Sequence, residues 1–300
     1  NLTGSPGWHA TLKPEPVPFL SYPYEWSFDM LKDAALLTLR LVKESVALGL
    51  ILKDATPYNI QWHKDSLVFI DTLSFERYNA EEPWIAYRQF CEQFLGPLLL
   101  MQYRNTALHS LQLAWPEGIP LNIIKSLLPF RSKFSLHTWL HIHLNARISS
   151  RENTGKQKTV KFSEQKMLNL VSSLETLIRK LKGPQQKSTW SGYYDEAASR
   201  TDYLEAKKKI VGEWIGSLTG ITTAADLGAN DGAFSRLAAN RGIYTIAADF
   251  DPYCINNLYR SIKRLAEKNI QPMIIDLANP SPAIGVNNEE RSSFLSRVKT

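Results

Sequence analysis

A glycine-rich run, DLGANDG, spans Asp226 to Gly232 and is the stretch of this chain most suited to binding chemistry. The apolar residues 221–225 before it predict a short buried strand, and residues 233–239 after it predict a helix. Glycines in a strand-to-helix turn permit a tight bend and let backbone N–H groups approach a ligand closely. The run therefore predicts a site for a nucleotide-derived cofactor.

Two more strands are predicted after this turn, and each ends in a carboxylate. Tyr244 to Asp249 is the second strand, and its acid lies about 20 residues after Gly228, where a ribose-binding acid is expected. Pro272 to Asp276 is the third strand. Ribose hydroxyls and an adenine amino group are donors, so acids at the strand ends suit them as acceptors.

The helix between the second and third strands must hold these acids in place. Asp251 is predicted to cap its first turn, with Pro252 at the first helical position. One apolar stripe at helical spacing is predicted to face the sheet, formed by Ile255, Leu258, Ile262 and Leu265. Together the elements predict a β-α-β-α-β array of the Rossmann type.

A dinucleotide-binding turn has the spacing G-x-G-x-x-G, which this run does not match. Phe234 and Ser235 follow Gly232, and Gly228 lies four residues before it. The alternative is a cofactor whose site uses an acid before the first glycine and acids after the next two strands. A purely structural role for the acids, as residues of strand-end turns, is the competing interpretation.

That alternative pattern resembles the class I S-adenosylmethionine (SAM) methyltransferases. The resemblance implies that Asp226 and the backbone from Gly228 through Asn230 to Gly232 lie near the methionine part of SAM. It further implies that Asp249 binds the ribose and that Asp276 lies beside the adenine.

Composition and charge limit the remaining possibilities. With 300 residues, 44% apolar and 21% charged, the chain is typical of a soluble protein of about two domains. Cys91 and Cys254 lie far apart, which disfavours a disulfide framework and favours a reducing, cytoplasmic setting. No apolar run approaches the ~18 residues of a membrane span, and no signal-peptide pattern begins the chain, so no membrane partner is expected.

The net charge of +6 belongs to one segment, Arg147 to Lys182, where Lys and Arg outnumber Glu nine to three. Residues 149–163 are polar and predict a linker, while residues 164–181 predict an amphipathic helix. We therefore divide the chain into residues 1–148, a basic linker and helix at 149–186, and a cofactor-binding domain at 187–300. The basic residues 147–182 could attract an acidic or nucleic-acid substrate, although a solvated helix face is the simpler interpretation.

An aromatic and polar segment, residues 189–203, precedes the first strand of the array. Such a segment can cover a cofactor cleft, which makes Trp190, Tyr193 and Tyr194 candidate contacts to substrate or cofactor. Packing of the same aromatic rings against the sheet is the alternative.

The first 148 residues hold a second constellation. A predicted amphipathic helix, residues 28–48, is followed by Asp54, then Asn59, then an apolar strand over residues 67–71 that ends in Asp71. This order resembles the catalytic and metal-binding loops of kinase-like phosphotransferases, where the first Asp is the base and the other two residues hold magnesium. The resemblance implies those roles for the three residues.

The departures from the kinase-like pattern are serious. Leu52 occupies the position of the usual His, Thr72 and Leu73 follow Asp71 in place of Phe-Gly, and no glycine-rich phosphate loop precedes Asp54. Phosphoryl transfer depends on positioning and charge neutralisation, so a loop without its phosphate clamp predicts a degenerate, inactive kinase-like region.

Three histidines, His137, His141 and His143, lie close enough in sequence to suggest a metal site. No cysteine lies nearby and no acid stands at ligand spacing, so the sequence favours packed or hydrogen-bonded histidines on a helix and predicts no metal.

Five phrases together resemble one bacterial family, the class I SAM-dependent methyltransferases related to the nodulation protein NoeA. They are SYPYEWSF, LKDATPYNIQW, FIDTLSFE, PWIAYRQFCEQFLGPLLLM and DLGANDG. The resemblance implies an α/β protein in which a mainly helical, kinase-C-lobe-like domain precedes a Rossmann-like methyltransferase sheet. It also implies methyl transfer from SAM to an unidentified acceptor.

The sheet of that family has more strands than the three placed here, and we expect the next one to begin at or just beyond Val298. Residues upstream of Asn1 are also expected, because the chain does not begin with Met. No catalytic residue is therefore named. A kinase-like phosphotransferase and a non-catalytic binding module stay open as alternative functions.

Overall fold

Residues 13–149, 162–183 and 201–298 are described by the structure, a computed structural model of mixed α/β architecture. A 3-10 turn at Pro23–Glu25 leads into helix α1, Phe28–Ala47. The predicted helix is confirmed, and its apolar residues recur at helical spacing along one side. The buried members of that side are Leu31, Ala35, Leu39, Val42 and Val46.

Two short antiparallel pairs follow α1. Strand β1, Leu50–Leu52, pairs with β4, Phe75–Arg77, while β2, Ile60–His63, and β3, Ser66–Phe69, form a hairpin. The hairpin is inserted in the sequence between the two members of the β1–β4 pair. The connecting segments 53–59 and 70–74 consequently lie side by side. The predicted strand over residues 67–71 starts one residue earlier than expected and ends at Phe69.

Short helices fill the rest of the first half, as its apolar composition predicts. They are α2 (Tyr87–Phe90), α3 (Gly96–Tyr103), α4 (Leu111–Ala114), α5 (Leu121–Leu127), α6 (Leu136–Thr138) and α7 (Asn145–Ser149). Two π-helical turns, Cys91–Leu95 and Trp139–Leu144, continue α2 and α6. Helix α8, Glu164–Lys180, packs against α1 through buried Met167, Val171, Leu174, Leu177 and Ile178, as its pattern predicts.

Helix α9, Thr201–Ser217, leads into a parallel sheet in the order β5-β6-β7. Its elements in chain order are β5 (Thr223–Leu227), α10 (Ala233–Ala239), β6 (Tyr244–Asp249), α11 (Pro252–Leu265) and β7 (Ile270–Ile274). A helix connects each strand to the next one, and consecutive strands pair in parallel. Every residue of β6 is buried because this strand has a neighbour on both edges.

Two of the three predicted strands need correction. Strand β5 spans Thr223–Leu227 rather than residues 221–225, and its residues alternate between half-buried and exposed instead of being buried throughout. Strand β7 spans Ile270–Ile274 rather than residues 272–276. In both cases the pairing with β6 sets the register, since Thr223 pairs with Tyr244 and Thr245 pairs with Ile270.

Helix α11 follows the prediction closely. The Asp251 carboxylate accepts hydrogen bonds from the backbone N–H groups of Tyr253 and Cys254, which confirms the cap. Ile255 and Ile262 of the predicted apolar stripe are buried, together with Leu258. Leu265 is 56% exposed, because it is the last residue of the helix and lies beyond the sheet.

The first half and the parallel sheet meet along a seam between α1 and α11. The Asn256 side chain exchanges two hydrogen bonds with Asp29, and the Tyr259 hydroxyl donates to Asp33 at 2.7 Å. The buried Trp62 indole of β2 donates to the Ile270 carbonyl of β7 at 2.9 Å. Apolar side chains of both halves belong to one hydrophobic cluster, so the described residues share a core.

A last helix, α12 at Phe294–Arg297, returns to the start of the described chain. The Arg297 guanidinium pairs with the Glu25 carboxylate, whose side chain is only 1% exposed. Ser281 and the backbone N–H of Tyr22 also donate to this carboxylate. Among the described residues, none of the helices has both the length and the apolar character that crossing a bilayer requires.

Candidate functional site

The glycine-rich loop between β5 and α10 lies directly against the end of β6. The backbone N–H groups of Gly228 and Ala229 both donate to the Ala248 carbonyl, at 2.8 and 3.0 Å. Gly228 has φ of +89°, Asn230 +49° and Gly232 +82°, so the bend uses backbone conformations that glycine and asparagine tolerate best. The loop is consequently held against the sheet edge by its own main chain.

The two glycines differ in what surrounds them. A Cβ placed on Gly228 would meet no atom within 4 Å, whereas a Cβ on Gly232 would lie 2.6 Å from Cδ1 of Leu258 in α11. Gly232 therefore allows close packing between the loop and the helix. Gly228 leaves open space beside the loop.

Asp249 is the last residue of β6 and lies under the loop. One of its carboxylate oxygens accepts from the Asn230 backbone N–H at 2.9 Å, and the other accepts from the Asp251 backbone N–H at 2.9 Å. The residue is 8% exposed. A carboxylate can accept about four hydrogen bonds, so its two oxygens keep capacity for further donors while they fix the loop and the start of α11.

Asp226 joins strand β5 to helix α10. Its carboxylate accepts a hydrogen bond from the Ser235 hydroxyl at 2.7 Å. Burial raises the pKa of the Asp226 carboxyl above its ordinary value, although the hydrogen bonds from Ser235 oppose the rise. Sequence reasoning missed Ser235 as a site residue. The signal was a serine on the buried side of a short helix, where a polar group needs a partner.

Asp276 lies two residues beyond β7 and is exposed. One of its oxygens accepts from the Ala278 backbone N–H at 2.9 Å, which makes a local turn. Because the strands are parallel, Asp226, Asp249 and Asp276 all stand at the carboxyl-end edge of the sheet. This is the edge at which open α/β sheets bind their ligands.

The predicted aromatic cover, Trp190, Tyr193 and Tyr194, lies outside the described residues. Of the basic segment 147–182, the described part includes α8 and its exposed cations Arg179 and Lys180, while residues 150–161 are outside the description.

Two of the three residues in the predicted kinase-like constellation, Asn59 and Asp71, are linked in the first half through Ser74. The Asn59 amide donates to the Ser74 hydroxyl at 3.0 Å, and that hydroxyl donates to Asp71 at 2.6 Å. The second Asp71 oxygen accepts from the Leu73 backbone N–H, which caps the 3-10 turn Thr72–Ser74. These contacts connect Asn59 to Asp71 and make the acid the cap of its own turn.

Asp54 has a separate partner. The Gln89 amide donates to it at 2.6 Å, and the Gln89 carbonyl oxygen accepts from the Ala55 backbone N–H at 2.7 Å. Gln89 thus bridges α2 and the loop after β1. Sequence reasoning missed this role as well, because the two segments are separated by the whole hairpin.

The histidines are engaged in hydrogen bonds, as the packed interpretation expects. His137 and His141 both bond the Ser173 hydroxyl of α8 at 2.9 Å, and the Tyr87 hydroxyl lies 2.9 Å from the other ring nitrogen of His141. His141 is fully buried, and burial lowers its pKa to about 4, with His137 adding to the decrease. Within the described residues, no three His, Cys, Asp or Glu side chains are placed to hold a metal ion.

Comparison with known proteins gives one clear relationship. The chain is similar to nodulation protein NoeA of Rhizobium meliloti (strain 1021). The two are 34% identical over 290 residues, a match that spans 93% of this chain and 60% of the length of the NoeA protein. No protein-family model matches the chain, and no solved structure matches it. The name of this relative refers to nodulation and does not state a reaction.

Proposed function

We propose that this chain is the cofactor-binding part of a SAM-dependent methyltransferase, which transfers the methyl group of SAM to an acceptor. The observation that carries the proposal is the sheet edge itself. The glycine loop folds back on β6, Asn230 donates from its backbone to Asp249, and Asp226 and Asp276 stand at the ends of the neighbouring strands. The likeness to NoeA is compatible with this function.

The donors and acceptors at the edge fit the parts of SAM. Asp249 keeps acceptor capacity beyond its two backbone donors and is positioned by them, so it can receive the two ribose hydroxyls without first rearranging. Asp276 is exposed and can accept from the adenine amino group. The open space beside Gly228 allows the ligand to lie against the loop.

Bound SAM would supply an electrophilic methyl group. The residues of this chain would bind and orient that cofactor, and orientation is the main requirement for a direct transfer. Asp226 ties β5 to α10 through Ser235 and would keep the loop in place. No residue of the chain is assigned as a base.

The test is calorimetric titration with S-adenosylhomocysteine, the demethylated form of SAM. We expect saturable binding to the unaltered chain. Asp276→Ala should weaken it about tenfold, because a charge-assisted hydrogen bond to the ligand is lost. Asn79→Ala is the matched control, since Asn79 caps an exposed turn with the same side-chain bond to the residue two positions ahead.

Gly228→Ala provides a second, backbone-based test. Gly242 also has a positive φ, +79°, and open space at its Cβ position, but it lies in the turn before β6, away from the acids. Both alanine variants should lose similar stability, about 1 kcal/mol, and only Gly228→Ala should lose affinity for S-adenosylhomocysteine. Equal affinity in all the variants, or no binding to the unaltered chain, would contradict the proposal.

A further inference from the structure

A groove on the side of the molecule has no role in the proposed cofactor site. Its volume is about 470 Å³, and it lies between α1, α8, α11 and the start of β3. Leu36, Leu37 and Leu67 line it and pack against the hydrophobic core from outside. Its volume is within the range of about 300–1,000 Å³ typical of small-molecule sites.

Cationic side chains from three helices converge on this groove. Arg40 and Lys43 come from α1, Arg179 from α8 and Lys263 from α11. They are accompanied by two acids, Asp33 and Glu175, so the lining carries a net charge of +2. The residues are far apart in sequence, and only the packing of the three helices places their charges around one space.

The two acids hold the cations in position. Glu175 is shared by Lys43 and Arg179, and these contacts hold the pKa of its carboxyl below the usual value. Asp33 accepts from the Tyr259 hydroxyl and also pairs with Lys263.

Exposure determines which sign of charge a ligand meets. The Glu175 and Asp33 side chains are 24% and 31% exposed, whereas those of Lys43, Lys263 and Arg179 are 34%, 44% and 64% exposed. Arg40 is 66% exposed, and its only ion pair among the described residues is a 3.8 Å contact to Glu44. The groove therefore presents preorganised positive charge above an apolar surface.

We propose that this groove binds a small organic phosphate monoester. A phosphate monoester carries a charge of about −1.5 to −2 at neutral pH, which balances the groove's net charge. Its oxygens accept from Arg40, Lys43 and Lys263, and its organic part covers Leu36, Leu37 and Leu67.

The groove is distinct from the proposed cofactor site. Lys263 lies near the end of α11, about 18 Å along that helix from Asp251 at its start. Asp251 marks the carboxyl-end edge of the sheet, where the three acids stand. Occupancy of the groove by a phosphate compound therefore does not depend on SAM binding.

The experiment titrates the chain with 1-naphthyl phosphate, inorganic phosphate and 1-naphthol in parallel. We expect 1-naphthyl phosphate to bind at least about tenfold more tightly than either fragment, because only the complete compound uses both the cations and the apolar surface. Arg40→Gln and Lys263→Gln should each weaken its binding about tenfold. S-adenosylhomocysteine binding is measured in the same variants and should not change.

Arg88→Gln is the matched control, because Arg88 forms a similar pair with a glutamate four residues later, outside the groove. Circular dichroism and the unfolding midpoint establish that every variant is folded. Equal affinities for inorganic phosphate and 1-naphthyl phosphate would overturn the proposal, as would binding that neither groove variant weakens. If only a single-stranded RNA oligonucleotide bound, and these two variants lost it, a nucleic-acid surface would replace the proposed phosphate-monoester site.

Discussion

Two loops of this molecule carry acidic residues that sequence patterns associate with binding or catalysis. The hydrogen-bond partners of these acids differ between the two loops. At the sheet edge, Asp249 and Asp276 accept hydrogen bonds from backbone N–H groups, and open space lies beside Gly228. In the first half, Asp71 is bonded by Leu73 and Ser74 of its own turn.

The difference comes from the residues that follow each acid. Thr72 and Leu73 stand where the kinase-like pattern has Phe-Gly, and with Ser74 they form the 3-10 turn that Asp71 caps. The Ser74 hydroxyl then links Asp71 to Asn59. In this protein the Asp71 carboxylate is a structural cap.

The strongest test of the molecule as one unit is Arg297→Ala, which leaves the buried Glu25 carboxylate without its cation. We expect a loss of about 3–5 kcal/mol in the free energy of unfolding, measured by urea denaturation. Both loops should unfold in that single transition, because their segments share one core.

Arg260→Ala is the control for Arg297→Ala. The Arg260 side chain, which pairs with Asp29, is 48% exposed, so its removal should lower stability by no more than about 1 kcal/mol. Two separate transitions would show that the loops belong to independent units. Equal losses in the two variants would contradict the burial of the Arg297–Glu25 pair.

The packing of the glycine loop is tested by Gly232→Ala. The new Cβ would approach Leu258 to 2.6 Å at a residue with φ of +82°, so strain and overpacking add to about 3 kcal/mol. Gly242→Ala has the strain without the close contact and should lose about 1 kcal/mol. Thermal unfolding of the two variants checks the difference, and a smaller loss for Gly232→Ala would contradict the described packing.

The buried His141 of the first half predicts a pH dependence of stability. The pKa of His141 is lowered to about 4 by burial, while in the unfolded chain it is near 6.5. The unfolded state therefore binds a proton first as the pH falls, and stability decreases between about pH 6.5 and pH 4, by about 2 kcal/mol at pH 5.

Urea denaturation at pH 7 and pH 5 measures this loss of stability. His141→Gln should reduce the difference between the two pH values, because glutamine does not titrate in that range. A difference that persists in this variant would assign the dependence to other groups.

The smallest expected effect concerns ATP with magnesium. Because the Ser74 hydroxyl links Asn59 to Asp71 and no glycine-rich phosphate loop precedes Asp54, we expect no change in the unfolding midpoint. A ligand present at a hundred times its Kd would instead add about 2.7 kcal/mol of stability. An upward shift that Asp71→Ala abolishes would show that the first loop retains nucleotide binding.

Local sequence signals predicted several elements of the fold correctly. Strand β6, helix α10 and the Asp251 cap lie where the sequence predicts them, because an apolar run, a helical pattern and a capping acid act within a few residues. The prediction for β7 is wrong because it places Pro272 at the start of the strand. Pro272 lies in the middle of β7, where it pairs with Ala247 of β6. Strand β7 has no partner on its other edge among the described residues, and such an edge strand tolerates proline.

The positions of the three acids in the sheet were predictable, but their hydrogen-bond partners were not. The three acids could be placed at one sheet edge from the parallel order alone. The buried serine of α10 indicates that Ser235 needs a partner but does not indicate that the partner is Asp226. The Gln89 bond to Asp54 depends on tertiary packing and has no local signal. The same holds for the seam, where Asp33 meets Tyr259 across 226 positions of sequence.

The hydrogen bond from the Trp62 indole joins two sides of the seam that are synthesised at different times. A ribosome makes the β2–β3 hairpin about 200 residues before β7, so the hairpin and α1 can fold while the sheet is still being synthesised. The sheet can then pack against these elements as it forms. The Trp62 indole donates to the Ile270 carbonyl, and α1 packs against α11. We expect the first half to act as an intramolecular template, and a circular permutant that places the sheet first to fold more slowly.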